Sequence, residues 1–123
     1  PRGHPLSPLR PYLRRQGWLD ARTLSGRPGG CRVDYVGLVI CRQRPQTAAG
    51  VTFMTLEDET GFVNLVVWSQ IFERFERFAR TAVVLGISGR LQSQESVVHL
   101  IADELWQPAL PAPVTTAPSR DFH

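Results

Sequence analysis

Lysine is absent from this chain. All fourteen of its basic residues are arginine, and against eleven acidic residues they leave a formal charge of +3. Arginine in place of lysine fits codon usage in a GC-rich genome, although a guanidinium also stacks on rings and forks onto phosphate in ways an ammonium does not. The basic surplus is compatible with a polyanionic partner and does not by itself name one. Cysteine is scarce too: Cys31 and Cys41 lie ten residues apart on what reads as one strand. At ~3.3 Å per residue that separation is far beyond disulfide reach, so two free thiols in a reducing compartment are expected. No apolar run approaches the ~20 residues of a membrane span, and the first residues lack a charged-then-apolar signal pattern. A cytoplasmic location with no membrane partner is the expectation. Ligand pairs of the CxxC or HxxxH kind, a Gly-rich phosphate loop and a nucleophile elbow are all missing, which argues against a zinc site and against independent catalysis.

What is present divides the chain into a lead-in segment over 1–30, a β-rich body over 31–106 and a Pro-rich flexible tail over 107–123. The lead-in carries Leu6, Leu9, Leu13, Trp18, Leu19 and Leu24 among Pro, Gly and Arg, suggesting short helical turns packed beside a larger body. Asp20 is placed to cap a turn that Arg27-Pro28-Gly29-Gly30 ends. The tail holds Pro108, Pro111, Pro113 and Pro118 with little to bury, and disorder is expected there.

The body reads as five strands. The first covers 32–42 with Gly37 in its middle, and a loop containing Pro45 leads to the second at 51–57. Asp58-Glu59-Thr60-Gly61 forms a tight turn into the third at 62–68. Ser69 can cap a helix that places Ile71, Phe72, Phe75, Phe78 and Ala79 on one face. A fourth strand over 82–92, broken by Gly86 and Gly89, and a fifth over 97–102 complete the set. Five strands with one helix between the third and fourth is the order of an OB-fold barrel, an architecture that binds single-stranded nucleic acid or oligosaccharide across its second and third strands.

Alternation along those two strands selects the candidate residues. A turn centred on Glu59 and Thr60 sets Glu57 opposite Phe62, Thr55 opposite Asn64 and Phe53 opposite Val66. Met54, Leu56, Val63, Leu65 and Val67 then point inward, and Phe53, Thr55, Asn64 and Trp68 share the outer face, where an aromatic ring offers a sequence-tolerant stacking platform. The competing reading packs Phe53 and Trp68 against the lead-in segment. Arg42 and Arg44 at the end of the first strand, and Arg90 on the fourth, flank the groove as candidate phosphate contacts. Gln92, Gln94 and His99 could hydrogen-bond bases or sugars. Glu57-Asp58-Glu59 reads as a turn rather than a metal cluster, because consecutive hairpin residues point different ways.

Several stretches carry a family resemblance. They are Gly3-His4-Pro5, Leu9-Arg10-Pro11, Gly37-Leu38-Val39, Arg42-Gln43-Arg44-Pro45, the run from Phe53 through Gly61, Val66-Val67-Trp68, Phe72-Glu73-Arg74, Gly89-Arg90, Val97-Val98-His99 and the terminal Ser119-Arg120-Asp121-Phe122-His123. With them the chain resembles the C-terminal end of bacterial error-prone DNA polymerases of the C family, relatives of the replicative polymerase III alpha subunit. The resemblance implies a non-catalytic OB domain whose parent extends primers across damaged DNA. The polymerase carboxylates and their Mg²⁺ would lie upstream, outside this chain, which itself needs no cofactor. Implied partners are single-stranded template DNA, the rest of the polymerase and mutagenesis accessory proteins. Three alternatives share the same fold: a protein-docking module, an OB domain of a replicative polymerase alpha subunit, and the anticodon-binding domain of an aminoacyl-tRNA synthetase. In the synthetases, positions corresponding to Phe53 and Asn64 contact anticodon bases.

Overall fold

Strong alternation in the body produces a closed barrel. In the computed structural model, which describes residues 3–43, 50–94 and 97–114, the strands are β1 (Arg32–Gln43), β2 (Val51–Asp58), β3 (Gly61–Trp68), β4 (Val84–Gln94) and β5 (Val97–Trp106). They close in the order β1-β2-β3-β5-β4. All neighbours are antiparallel except β3 and β5, which run parallel because the helical segment and β4, itself antiparallel to β5, lie between them in the chain. The β2–β3 register is the expected one, with Glu57 opposite Phe62, Thr55 opposite Asn64 and Phe53 opposite Val66. Met54, Leu56, Val63, Leu65 and Val67 accordingly sit in the core. Burying residues of this kind is the dominant favourable term in folding.

Three elements depart from the sequence reading. The segment after β3 is two short helices, α3 (Ser69–Arg74) and α4 (Glu76–Thr81), broken where Phe75 leaves helical geometry at φ −116°, ψ 35°. As one straight helix, 69–81 would run roughly 20 Å; the break keeps both Phe72 and Ala79 in the core at one end of the barrel. Ser69 is not the cap, because β3 runs directly into the helix and Trp68 holds that position with no side-chain bond. The Ser69 side chain packs instead against Gly50, where a β-carbon would come within 2.9 Å and φ is +68°. Finally, β5 continues four residues past Ala102 because a bulge between Ser88 and Gly89 lets pairing resume as far as Gly86 with Trp106. Gly89 permits the close approach, since a β-carbon there would lie 2.1 Å from the Ile101 carbonyl oxygen.

The lead-in folds as a single-turn helix at Ser7–Leu9 followed by α1 (Arg10–Arg15) and α2 (Ala21–Ser25). Asp20 caps α2 as expected, accepting from the Thr23 amide at 2.7 Å. Leu6 and Leu13 lie against Val36, Leu38 and Val84 on the outside of β1 and β4, with Trp18 and Trp106 beside them. The stretch 107–114, expected to be disordered, joins this cluster. Pro108 is buried, Leu110 and Val114 pack on the cluster, and the Tyr12 hydroxyl donates to the Ala109 carbonyl at 2.8 Å. The proline run thus has an apolar surface to lie on, contributed by the lead-in, which reading the tail alone did not supply. Residues 115–123 fall outside the described residues. Among the described residues no helix is long and apolar enough to cross a membrane, and both cysteines are free thiols.

Candidate nucleic-acid interface

The outer face of β2 and β3 is built by the period-two alternation of each strand. Phe62, Asn64, Val66 and Trp68 recur along β3 at ~6.8 Å intervals, and Glu57, Thr55, Phe53 and Val51 stand opposite them on β2. Phe53 is 39% exposed and Trp68 51% exposed. The lead-in packs Leu6 and Leu13 on β1 and β4 and meets β2 and β3 at their acidic-turn end, which leaves the Phe53 and Trp68 rings uncovered. Asn64 is exposed and lies between Thr55 on β2 and His99 on β5. Gln92 on β4 is exposed opposite His99. The face therefore presents the rings of Phe53, Phe62 and Trp68, the amides of Asn64 and Gln92, the Thr55 hydroxyl and the His99 imidazole in one continuous sheet surface. Rings supply stacking area, and the polar groups between them can hydrogen-bond base edges.

One aromatic escaped the sequence reading. Phe62 is 64% exposed, more than Phe53 or Trp68, and lies on the same outer row opposite Glu57. The signal for it is the register itself, since a residue opposite Glu57 and two before Asn64 on the same strand faces outward.

The arginines are distributed differently from the expectation. Arg42 has the opposite alternation to Gln43, the partner of Phe53, and turns away from the ring row. Its Nε and one Nη donate to the Ala79 and Ala82 carbonyls at 2.7 Å each, closing the C-terminus of α4. Burial lowers its pKa, since these partners are carbonyls rather than a carboxylate. Arg90 is exposed but lies on β4 between Arg32 and Ile101, two strands from β3 around the closed barrel. It is not brought beside Phe53. Arg44 lies outside the described residues, as does the side chain of Gln94.

The acidic turn has its own work. Asp58 is fully buried and accepts from the Ala21 amide at 2.7 Å and, through its other oxygen, from the amides of Thr60 and Gly61 and the Thr60 hydroxyl. Glu59 takes a two-pronged bond from the Arg10 guanidinium, and His4 Nε2 lies 3.3 Å from Glu57. Burial alone would lower the pKa of Arg10, but the hydrogen bond and charge of Glu59, with Asp58 and Asp20 behind, raise it overall. Tyr35 is fully buried, and burial first, then Asp58, push its pKa well above the ordinary value, so the hydroxyl stays un-ionised. The turn latches the lead-in to the barrel. With its oxygens committed to backbone amides and Arg10, it does not fit a Mg²⁺ site.

The OB-fold nucleic acid binding domain model of the anticodon-binding type matches residues 33–107. The chain is 45% identical over 122 residues to an error-prone DNA polymerase of Anaeromyxobacter sp. (strain K), covering 99% of this chain and 11% of that protein. To the error-prone DNA polymerase of Alkalilimnicola ehrlichii it is 48% identical, covering 98% of this chain and 12% of the relative. The chain thus spans about a tenth of the length of the curated relatives it matches. Among solved structures, asparaginyl-tRNA synthetase from Pyrococcus horikoshii superposes with a TM-score of 0.62 at 18% identity, over 84% of this chain and 27% of that one. A chain of the S. pombe Stn1-ten1 complex gives 0.56 at 23% identity, over 71% of this chain and 64% of that one. Likeness at these identities speaks to the fold.

Proposed function

The chain belongs to the OB-fold nucleic acid binding domain family, and from that premise we propose that, as part of an error-prone DNA polymerase, it holds single-stranded template DNA without strict sequence preference. The observation that carries this reading is the row of uncovered rings, Phe53, Phe62 and Trp68, with Thr55 and Asn64 between them on the outer face of β2 and β3. Rings stack on any base, which gives affinity without sequence readout. In this reading the domain performs no phosphoryl transfer; it steadies the template for an active site elsewhere in the polymerase, which works in the cytoplasm on damaged DNA. Arg90 contributes a phosphate contact at the margin of the face, Arg44 is assigned one from its place in the sequence alone, and Arg42 contributes only through the nitrogen that α4 leaves unused.

Titrating a fluorescent single-stranded oligonucleotide into the chain at several salt concentrations tests the reading. Saturable binding that weakens steeply with salt is expected, because each phosphate contact releases condensed counterions. No binding at low salt would overturn it and turn the same face over to a protein partner.

A further inference from the structure

We propose that the cavity between the end of β1, the start of β2 and the α3–α4 cap is a phosphate site, seating one backbone phosphate of the strand whose bases lie on the β2–β3 face. The source of that phosphate rests on the function proposed above; the site itself rests on its own geometry. The cavity measures about 220 Å³ and is lined by Arg42, Gln43, Thr52, Phe72 and Arg80.

Three features of the lining call for an anion. Thr52 is 3% exposed, and its buried hydroxyl has no hydrogen-bond partner among the described residues. A buried hydroxyl left unpaired is costly, and one that lines a cavity is a donor awaiting an acceptor. Arg42 is bonded only to the Ala79 and Ala82 carbonyls, and no carboxylate lies within ion-pair distance of it among the described residues. Carbonyls satisfy its hydrogens without supplying a counter-charge, and burial correspondingly lowers its pKa. Arg80 lies over the Phe72 ring at 5.5 Å and is bonded through Nε to Glu76 at 2.6 Å, and among the described residues its outer nitrogens have no hydrogen-bond partner and remain for a ligand. Two guanidinium groups against one carboxylate leave a net positive site, and a phosphate would supply acceptors for both cations and for the Thr52 hydroxyl.

The cavity also adjoins the ring face. Gln43 lines it and is the direct cross-strand partner of Phe53, so one residue borders both the cavity and the ring row, and a strand stacked on Phe53 would reach the site around the edge of the sheet at Gln43.

Nuclear magnetic resonance titration of the 123-residue chain with inorganic phosphate reads the site directly. Saturable shifts at Thr52, Gln43 and the Arg80 Nε–H are expected, and Thr52→Val, which keeps the side-chain shape, should weaken phosphate binding about tenfold or more through loss of one charge-assisted hydrogen bond. Shifts that bypass these residues, or unchanged phosphate affinity in a folded Thr52→Val chain, overturn the proposal. A second arm uses a single-stranded oligonucleotide with ordinary or uncharged methylphosphonate linkages. Arg80→Gln and Thr52→Val should weaken binding of the ordinary strand, and the loss should vanish with the uncharged one. If phosphate binds but neither strand does, the site stands as one for free phosphate and the single-strand reading falls.

Discussion

The barrel carries apolar side chains on two parts of its outer surface, and the two are treated in opposite ways. On β1 and β4, Val36, Leu38 and Val84 are buried beneath Leu6 and Leu13 of the lead-in. On β2 and β3, Phe53, Phe62 and Trp68 are left exposed. The first group is aliphatic, and aliphatic groups gain mainly by leaving water. The second is aromatic, and a flat ring retains a use at the surface because a base can stack on it. The lead-in is held over the first group by bonds that have nothing to do with apolar matching: Arg10 to Glu59, and the Ala21 amide to Asp58. Polar latches at the turn and apolar packing on β1 and β4 thus act together in holding the lead-in on the covered flank, and the acidic turn serves that flank while the strands it joins keep their rings uncovered.

The largest effect expected from this contrast is on the covered flank. Leu13→Ala should cost ~2–5 kcal/mol of stability, the range for emptying a buried leucine site, as measured by urea unfolding. Single-strand affinity of the folded protein should stay at the wild-type value. A loss of affinity with intact stability would place the binding surface under the lead-in and reverse the two roles.

Phe53→Ala tests the open flank. It should cost ~1–3 kcal/mol in single-strand affinity and change stability within about 0.5 kcal/mol, as for surface positions without special features. Unfolding of this variant would show that the ring is structural after all. Phe62→Ala should matter less, under ~1 kcal/mol in affinity, because Glu57 stands opposite it and keeps phosphates from that end of the row. An effect as large as that of Phe53→Ala would extend the bound strand along the full length of β3.

Much of this contrast was legible in the sequence, and its gaps have physical causes. Period-two alternation fixes facing within a hairpin, so the inward set from Met54 to Val67 and the outward set around Phe53 and Asn64 follow from local pattern. Alternation cannot say which outer flank a separate segment will cover. That depends on Arg10 meeting Glu59 across forty-nine residues, and on an apolar surface shared by the lead-in and residues 107–114. The fate of Arg42 was hidden for the same reason: its acceptors, Ala79 and Ala82, come into reach only once the helical segment bends over the barrel. Asp20 as a cap was readable because its partner is three residues away.

The smallest expected effect isolates the latch by pH. Burial, the largest single influence on the Glu59 carboxyl, raises its pKa, but the hydrogen bond and charge of Arg10, with the backbone amide and His4, pull it down further and leave it below the ordinary carboxylate value. The folded state therefore holds this proton less tightly than the unfolded chain does. Its contribution to stability is complete above the unfolded pKa and is lost as pH falls from that value through the depressed folded one. Stability from urea unfolding should thus decline between about pH 5 and pH 3 more steeply in the wild type than in Glu59→Gln. Asp20 is also depressed, since the Thr23 bonds outweigh burial; its slope is common to both proteins, and their difference isolates Glu59. Phe53→Ala, on the flank that has no part in the latch, should follow the wild-type pH curve. A Glu59→Gln curve that runs parallel to the wild type into acid would mean that Arg10 and Glu59 do not hold the lead-in in place, and the covering of β1 and β4 would then rest on apolar packing alone.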